Sequence, residues 1–129
     1  MQQKPVQLVG IYNADGGLVG ELKYFFGHLV GIAKCELCDV THSPIRRKAA
    51  FDRFREQLLS DFGLEIELLH LNERNPAQQI ASDGQVPCVL AQFSDGSFSM
   101  LLDRVDLRAL RGDVGKFDQL VRARLGIYF

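Results

Sequence analysis

The chain alternates short strand-like segments with helix-like segments, and this order restricts its fold more than any other feature. Apolar, β-rich stretches predict four strands, at residues 6–12, 64–71, 87–93 and 98–102. Apolar residues at helical spacing, with capping and stop signals, predict five helices, over 18–30, from Ser43-Pro44 to Gly63, from Asn75-Pro76 to Asp83-Gly84, from Asp103 to Gly112, and from Asp113 to Gly126. The predicted order is therefore β-α-α-β-α-β-β-α-α.

This order predicts an α/β fold. Strands separated by helices favour parallel pairing, whereas the turn at 94–97 joins the last two strands as an antiparallel hairpin. A chain of 129 residues, 47% of them hydrophobic, is long enough for one domain with its own core. We expect a single domain over residues 1–129: a small sandwich with a four-stranded mixed sheet and helices on both faces.

Charge and hydropathy exclude several classes of protein. A net charge of −1 gives no basic excess, so we expect no nucleic-acid partner. Charged and polar residues interrupt the longest apolar runs, so we expect no membrane span. The first residues, Met-Gln-Gln-Lys-Pro, lack the apolar run of a signal peptide, which favours a cytoplasmic location. The oligomeric state is not determined by these patterns.

The most chemically specific motif is Cys35-Glu-Leu-Cys38, a C-x-x-C sequence. Two thiols at this spacing can close a disulfide or bind a soft metal ion. In a reducing compartment such a pair is more often redox-active or metal-binding than a structural crosslink. The pair precedes the helix predicted to begin at Ser43-Pro44, and Val86-Pro87 opens the third predicted strand.

The element order, the C-x-x-C before a helix and the Val86-Pro87 pair together resemble the thioredoxin-like fold. The text from Cys35 to Pro44 also looks like a thioredoxin active-site helix, which carries a proline shortly after its second cysteine. The resemblance implies that the peptide bond before Pro87 is cis and that Pro87 lies against the thiol pair. The chain departs from the thioredoxin pattern in one respect, because 22 residues separate Tyr12 from Cys35.

The chain is also similar to a group of small, uncharacterised bacterial proteins. The shared text comprises Ile11 to Asp15, Cys35 to Thr41, Leu69-His70 and Pro87 to Leu90. Some members of that group are loosely called GTPases. This sequence lacks the G-x-x-x-x-G-K-[ST] loop that cradles nucleotide phosphates, and Gly112-Asp-Val-Gly-Lys116 lacks the hydroxyl residue after the lysine.

The leading hypothesis for the thiol pair is dithiol–disulfide exchange. Cys35 would attack the disulfide of a protein or small thiol, and Cys38 would resolve the mixed intermediate, with no cofactor expected. Arg46 and Arg47, at the start of the next helix, are candidate anion-binding residues. His42 precedes that helix and is a candidate for proton transfer or ligand binding.

Three alternatives to dithiol exchange remain open. Cys35, Cys38 and His42 have the spacing of three zinc ligands, with Cys88, His70 or His28 as a fourth, although the strong zinc signature of two C-x-x-C pairs is missing. The protein could be a non-catalytic binding module in which the pair is structural. It could also be an enzyme that uses an anion such as glutathione or phosphate.

The remaining candidates have ordinary structural explanations. Cys88 stands in an apolar strand, where core packing on the same face as Leu90 is the default interpretation. His70 interrupts an apolar strand and is expected to be a hydrogen-bonded core histidine. Asn13 and Asp15 follow the first strand, where ligands often bind, but turn formation explains them as well.

Overall fold

A computed structural model describes residues 3–13 and 45–129, where strands and helices follow one another in the order that the sequence predicts. The strands are β1 (Gln7–Ile11), β2 (Ile66–Leu69), β3 (Cys88–Gln92) and β4 (Phe98–Leu102). The helices are α1 (Ile45–Phe62), α2 (Pro76–Ser82), α3 (Arg104–Leu110) and α4 (Val114–Leu125), with a 3-10 turn at Leu71–Glu73. The helix predicted over 18–30 lies outside the described residues.

The four strands form one mixed sheet in the order β2-β1-β3-β4, which confirms an α/β fold with a four-stranded mixed sheet. Strand β1 pairs with β2 in parallel and with β3 antiparallel, and β3 and β4 form the expected antiparallel hairpin. The prediction that strands separated by helices would run parallel is therefore correct for β1 and β2 but wrong for β3.

The connection from β2 to β3 contains the short helix α2 and returns to the end of the sheet that it left. A helix of seven residues spans only about 10 Å, whereas a five-residue strand is about 17 Å long. The helix therefore covers less than the length of the strand, and the chain does not cross to the other end of the sheet. The connection returns the chain to the edge at which β2 ended, and β3 starts there and runs against β1.

Local capping determines where the short helices begin. The Asn75 side chain accepts a hydrogen bond from the Gln78 backbone N–H at 2.8 Å, and the Gln78 side chain accepts one from the Asn75 N–H at 2.8 Å. Asp103 and Asp106 make the same reciprocal pair at the start of α3. Each pair satisfies backbone donors that the first helical turn leaves without partners.

Replacing Asn75 with alanine should lower the free energy of unfolding by about 1 kcal/mol, because the first turn of α2 loses its cap. Asn75→Asp keeps an acceptor oxygen at the same position and should stay close to the wild type. Urea unfolding followed by circular dichroism measures the difference between the two variants. Equal destabilisation by both would show that the side-chain oxygen does not cap this helix.

Helices pack on both faces of the sheet and enclose two apolar clusters. The main cluster joins Leu8, Val89 and other residues of one face to side chains from α1, α3 and α4. The second cluster, on the opposite face, contains Val9, Ile11, Leu69, Cys88 and Leu90, with Ala81 of α2 packed against it. Alternation along β1 and β3 produces this division, since successive side chains point to opposite faces.

The described helices are not membrane-spanning segments. Within residues 3–13 and 45–129, no helix combines the length and the apolar character needed to cross a bilayer. The longest of these helices, α1, has 18 residues and carries charged side chains along much of its length.

Candidate functional site

Strands β1 and β2 end, and β3 begins, side by side at one end of the sheet, which we call the sheet edge. Ile11, at the end of β1, pairs with Leu69 at the end of β2 and with Cys88 at the start of β3. One step beyond this row stand His70, Tyr12 and Pro87, which we call the edge row. The Tyr12 N–H donates a hydrogen bond to the Leu69 carbonyl at 2.8 Å, so the pairing of β1 with β2 continues into the edge row.

The edge row lies on the face of the sheet that α1 covers. The row before it contributes Ile11, Leu69 and Cys88 to the second cluster, whereas Tyr12 belongs to the main cluster with the side chains of α1. Helix α1 ends at Phe62, just before β2 begins at the opposite edge of the sheet, so α1 runs antiparallel to β1 and β2. Its beginning is therefore directed toward the edge row.

Of the predicted dithiol site, the structure describes Pro87. Pro87 is buried, opens β3 next to the end of β1, and follows Val86 through a cis peptide bond, the isomer that the resemblance to thioredoxins implies. Cys35 and Cys38 lie outside the described residues, so their role in exchange stays a prediction.

The predicted ligand-binding residues are described only in part. Arg46 and Arg47 belong to the first turn of α1, as the Ser43-Pro44 start signal predicts, but their side chains lie outside the described part of the structure. His42 lies outside the described residues altogether. An anion-binding role for these three residues therefore stays a prediction.

Cys88 is a core residue, as its apolar strand predicts. Its side chain has no exposed surface, and it shares the second cluster with Leu90. Burial raises the pKa of the Cys88 thiol to about 12, and the positive charge of Arg74 only partly opposes this. The thiol therefore stays protonated at neutral pH, whereas a cysteine nucleophile reacts as the thiolate.

His70 differs from its sequence-based interpretation. The sequence predicts it inside an apolar strand, but β2 ends at Leu69 and the His70 side chain is 23% exposed. Its Nδ1 lies 2.7 Å from Oε1 of Glu73, and the same oxygen accepts the His70 backbone N–H at 2.7 Å. The expected hydrogen bond exists, but it belongs to a carboxylate–imidazole pair at the sheet edge.

The carboxylate of this pair is held in its charged form. The hydrogen bond from the His70 backbone N–H, followed by that from the His70 ring, lowers the pKa of Glu73 below its usual value. The 3-10 turn brings the two side chains together, because residues three apart in such a turn lie on the same side. A His-x-x-Glu spacing directly after a strand is the sequence signal that could have revealed the pair.

The His70 ring also contacts Tyr12, the residue that follows β1. It packs against the ring of Tyr12, with ring centres 4.9 Å apart and planes inclined by 42°. Tyr12 is 1% exposed and belongs to the main cluster, so the surface beneath the histidine is rigid. The His70 ring therefore has one packed face, one nitrogen bonded to a carboxylate, and a part open to solvent.

Hydrogen bonds of Arg74 and Ser82 hold the connection from β2 to β3 in place next to this pair. Arg74 donates hydrogen bonds to the Leu71 carbonyl at 3.0 Å and to the Ser82 hydroxyl at 3.1 Å. Ser82 is fully buried and donates in turn to the Gln78 carbonyl at 2.7 Å. These bonds fix α2 against the turn that carries Glu73.

Metal binding has no support among the described residues. Within residues 3–13 and 45–129, no group of three or more His, Cys, Asp or Glu side chains is arranged to hold a metal ion. The zinc alternative depends on Cys35, Cys38 and His42, which lie outside these ranges, so it also stays a prediction.

Comparison of the chain with protein-family models, with curated proteins and with solved structures found no match. The arrangement of the edge row therefore has to be interpreted from its own chemistry.

Proposed function

We propose that the protein is a thioredoxin-like thiol–disulfide oxidoreductase of the cytoplasm, with Cys35 as the nucleophile and Cys38 as the resolving thiol. The observation that supports this proposal most is the position of Pro87, which lies just before β3 at the sheet edge. Strand β1 ends at the same edge, and the chain that leaves it leads to the C-x-x-C. The sheet order β2-β1-β3-β4, with β1 central, is compatible with that fold.

In the proposed reaction, electrons move from the thiol pair to a substrate disulfide. The Cys35 thiolate forms a bond to one sulfur of the substrate, and the substrate S–S bond breaks. Cys38 then attacks Cys35 in the mixed disulfide and releases the second substrate sulfur as a thiol. The protein ends with one disulfide and the substrate with two thiols, so the two sulfurs of the protein supply both electrons.

A redox titration tests the proposal. We expect the reduced protein, equilibrated with glutathione buffers of increasing oxidised fraction, to pass through one reversible two-electron step. Peptide mapping after acid quenching should then assign the new disulfide to Cys35 and Cys38. The Cys88→Ala variant should show the same step, because Cys88 is buried and protonated. Cys38→Ser should instead form a mixed disulfide between Cys35 and glutathione and no disulfide within the chain.

Other outcomes would support the alternatives. Protein that stays reduced across the whole titration would contradict the proposal and favour the non-catalytic binding module. About one zinc per chain in protein purified without chelator, lost in Cys38→Ala, would favour the metal-binding alternative.

A further inference from the structure

Strand β2 is an outermost strand of the sheet. Within residues 3–13 and 45–129 its one neighbouring strand is β1, because the order is β2-β1-β3-β4. The side of β2 that faces away from β1, which we call the outer side of β2, therefore has no strand partner in this part of the chain. An outermost strand is a template on which a further extended segment can pair.

The hydrogen bonds to β1 show which backbone groups point to the outer side of β2. The Glu65 carbonyl accepts the Leu8 N–H at 2.9 Å, and the Leu69 carbonyl accepts the N–H of the first residue after β1 at 2.8 Å. Backbone groups of successive residues in a strand point alternately to its two sides, so Ile66 and Leu68 direct their N–H and C=O groups away from β1. Two donors and two acceptors therefore stand along the outer side at the spacing that a further strand requires.

A groove of about 430 Å³ lies where α1 passes β2, and its lining differs between the two faces of the sheet. On the face that α1 covers, it is lined by Leu59 and by Ile66 of the main cluster. Leu59 belongs to α1 and is 50% exposed, so half of an apolar side chain remains available to a partner. An apolar side chain placed against Leu59 would remove this surface from water, which favours binding.

The opposite face of the groove is acidic. Glu65 and Glu67 are exposed there, two residues apart, because alternation along the strand turns both toward the face of the second cluster. The Gln7 side chain donates a hydrogen bond to the Glu67 carboxylate at 3.0 Å and holds it in place. With Glu56, the described lining of the groove contains three carboxylates, against the guanidinium of Arg55. This balance of charge favours a basic partner.

A second copy of this chain suits the outer side of β2 less well than a basic segment does. Antiparallel pairing of β2 with itself, centred on Glu67, places two Glu67 side chains opposite each other, and centring it on Ile66 places Glu65 opposite Glu67. Like charges directly opposite each other on a sheet destabilise the pairing. A segment with basic residues on that face replaces this repulsion with attraction.

We propose that the outer side of β2 binds an extended segment of another protein, in which basic and apolar residues alternate, as a fifth strand of the sheet. The apolar side chains of the segment contact Leu59, and its basic side chains contact Glu65 and Glu67. Backbone hydrogen bonds to Ile66 and Leu68 supply affinity, and the alternation of side chains supplies specificity. The inference goes beyond the proposed function, because the thiol pair takes no part in it.

Fluorescence anisotropy with labelled peptides tests the proposal. The probe is Lys-Val-Lys-Val-Lys-Val-Lys with fluorescein at its N-terminus, and the control is Glu-Val-Glu-Val-Glu-Val-Glu with the same label. We expect the basic probe to bind at least about tenfold more tightly than the acidic control at low salt. The difference should shrink as salt is added, because exposed charges are screened.

A matched pair of variants locates the binding site. Glu67→Lys and Asp83→Lys each reverse the charge of one exposed residue. Asp83 follows α2, which packs against β3 and β4, away from β2. We expect Glu67→Lys to weaken binding of the basic probe by about tenfold and Asp83→Lys by less than about twofold, with thermal unfolding showing that both are folded. Equal weakening by the two variants would mean general charge attraction and would contradict the proposed site.

Probes with methylated backbone nitrogens separate strand pairing from charge attraction. In a paired strand, the N–H groups of alternate residues point toward the neighbouring strand, so either the valine or the lysine N–H groups of the probe face β2. We expect methylation of one of these two sets to abolish binding and methylation of the other to preserve most of it, since both probes keep every charge. Equal affinity of the two methylated probes would show that no strand is added.

The remaining outcomes overturn the proposal without affecting the proposed function. A basic probe that binds no better than the acidic control would show that the outer side of β2 does not select a basic segment. Sedimentation velocity of the protein alone examines the other occupant. A dimer that dissociates in Glu67→Pro and excludes the probe in the wild type would mean that a second copy occupies the outer side of β2.

Discussion

Cys88 should react with a thiol reagent about a thousandfold more slowly at pH 8 in the folded protein than in the unfolded chain. Only the thiolate reacts, and the folded protein raises the pKa of this thiol from an ordinary 9.0 to about 12. At pH 8 these values correspond to thiolate fractions of about one in ten and about one in ten thousand. The buried side chain also excludes the reagent itself, which can only slow the reaction further.

The measurement uses the Cys35→Ser, Cys38→Ser double variant, in which Cys88 is the remaining thiol. Alkylation by iodoacetamide is followed by mass spectrometry in buffer and in concentrated guanidinium chloride. In buffer the rate should keep rising with pH up to about 12, whereas in denaturant it should level off above about 9. Similar rates in both solvents would mean that Cys88 is accessible and that the second cluster does not enclose it.

Replacing Phe117 with alanine should lower the free energy of unfolding by about 3–5 kcal/mol. Phe117 has no exposed surface and stands where α4 meets α1. Its ring meets Phe54 edge to face at 5.1 Å, and the centre of the Phe51 ring lies 6.1 Å away. The substitution therefore removes both the apolar area of one ring and its aromatic contacts, and it leaves a cavity that the surrounding side chains fill only in part.

Phe129→Ala provides the matched control. The same atoms are removed, but Phe129 is 47% exposed and contacts Phe62 and Lys4 at the surface. We expect it to cost about 1 kcal/mol or less, measured by urea unfolding of both variants. An equal loss in the two variants would contradict the assignment of Phe117 to the main cluster.

The elements that local chemistry specifies could be predicted from the sequence. Asn75 and Asp103 were expected to begin helices, and both cap them, because capping depends on residues within one turn. Gly63 was expected to end a helix, and it follows α1 with a positive φ of 68° that favours glycine. Cys88 and Leu90 share a face because the alternation of a strand has a fixed period.

Features that depend on comparing distant parts of the chain could not be predicted in the same way. The direction of β3 depends on which end of the sheet the connection through residues 70–87 returns to, and no local pattern expresses this. The position of His70 cannot be predicted because the apolar run through Leu71 hides the end of β2 at Leu69. The strand ends two residues earlier than predicted, which moves this histidine out of the strand and into contact with Glu73 and Tyr12.

The sheet acts as a partition between two apolar clusters, and this has a consequence for how the sequence can vary. Side chains on one face cannot move through the backbone of β1 and β3 to fill space lost on the other. A volume change at Phe117 must be compensated among the residues of its own side, and a change at Cys88 among those of the second cluster. Substitutions on the two faces should therefore combine nearly additively, which allows each side to change without repacking the other.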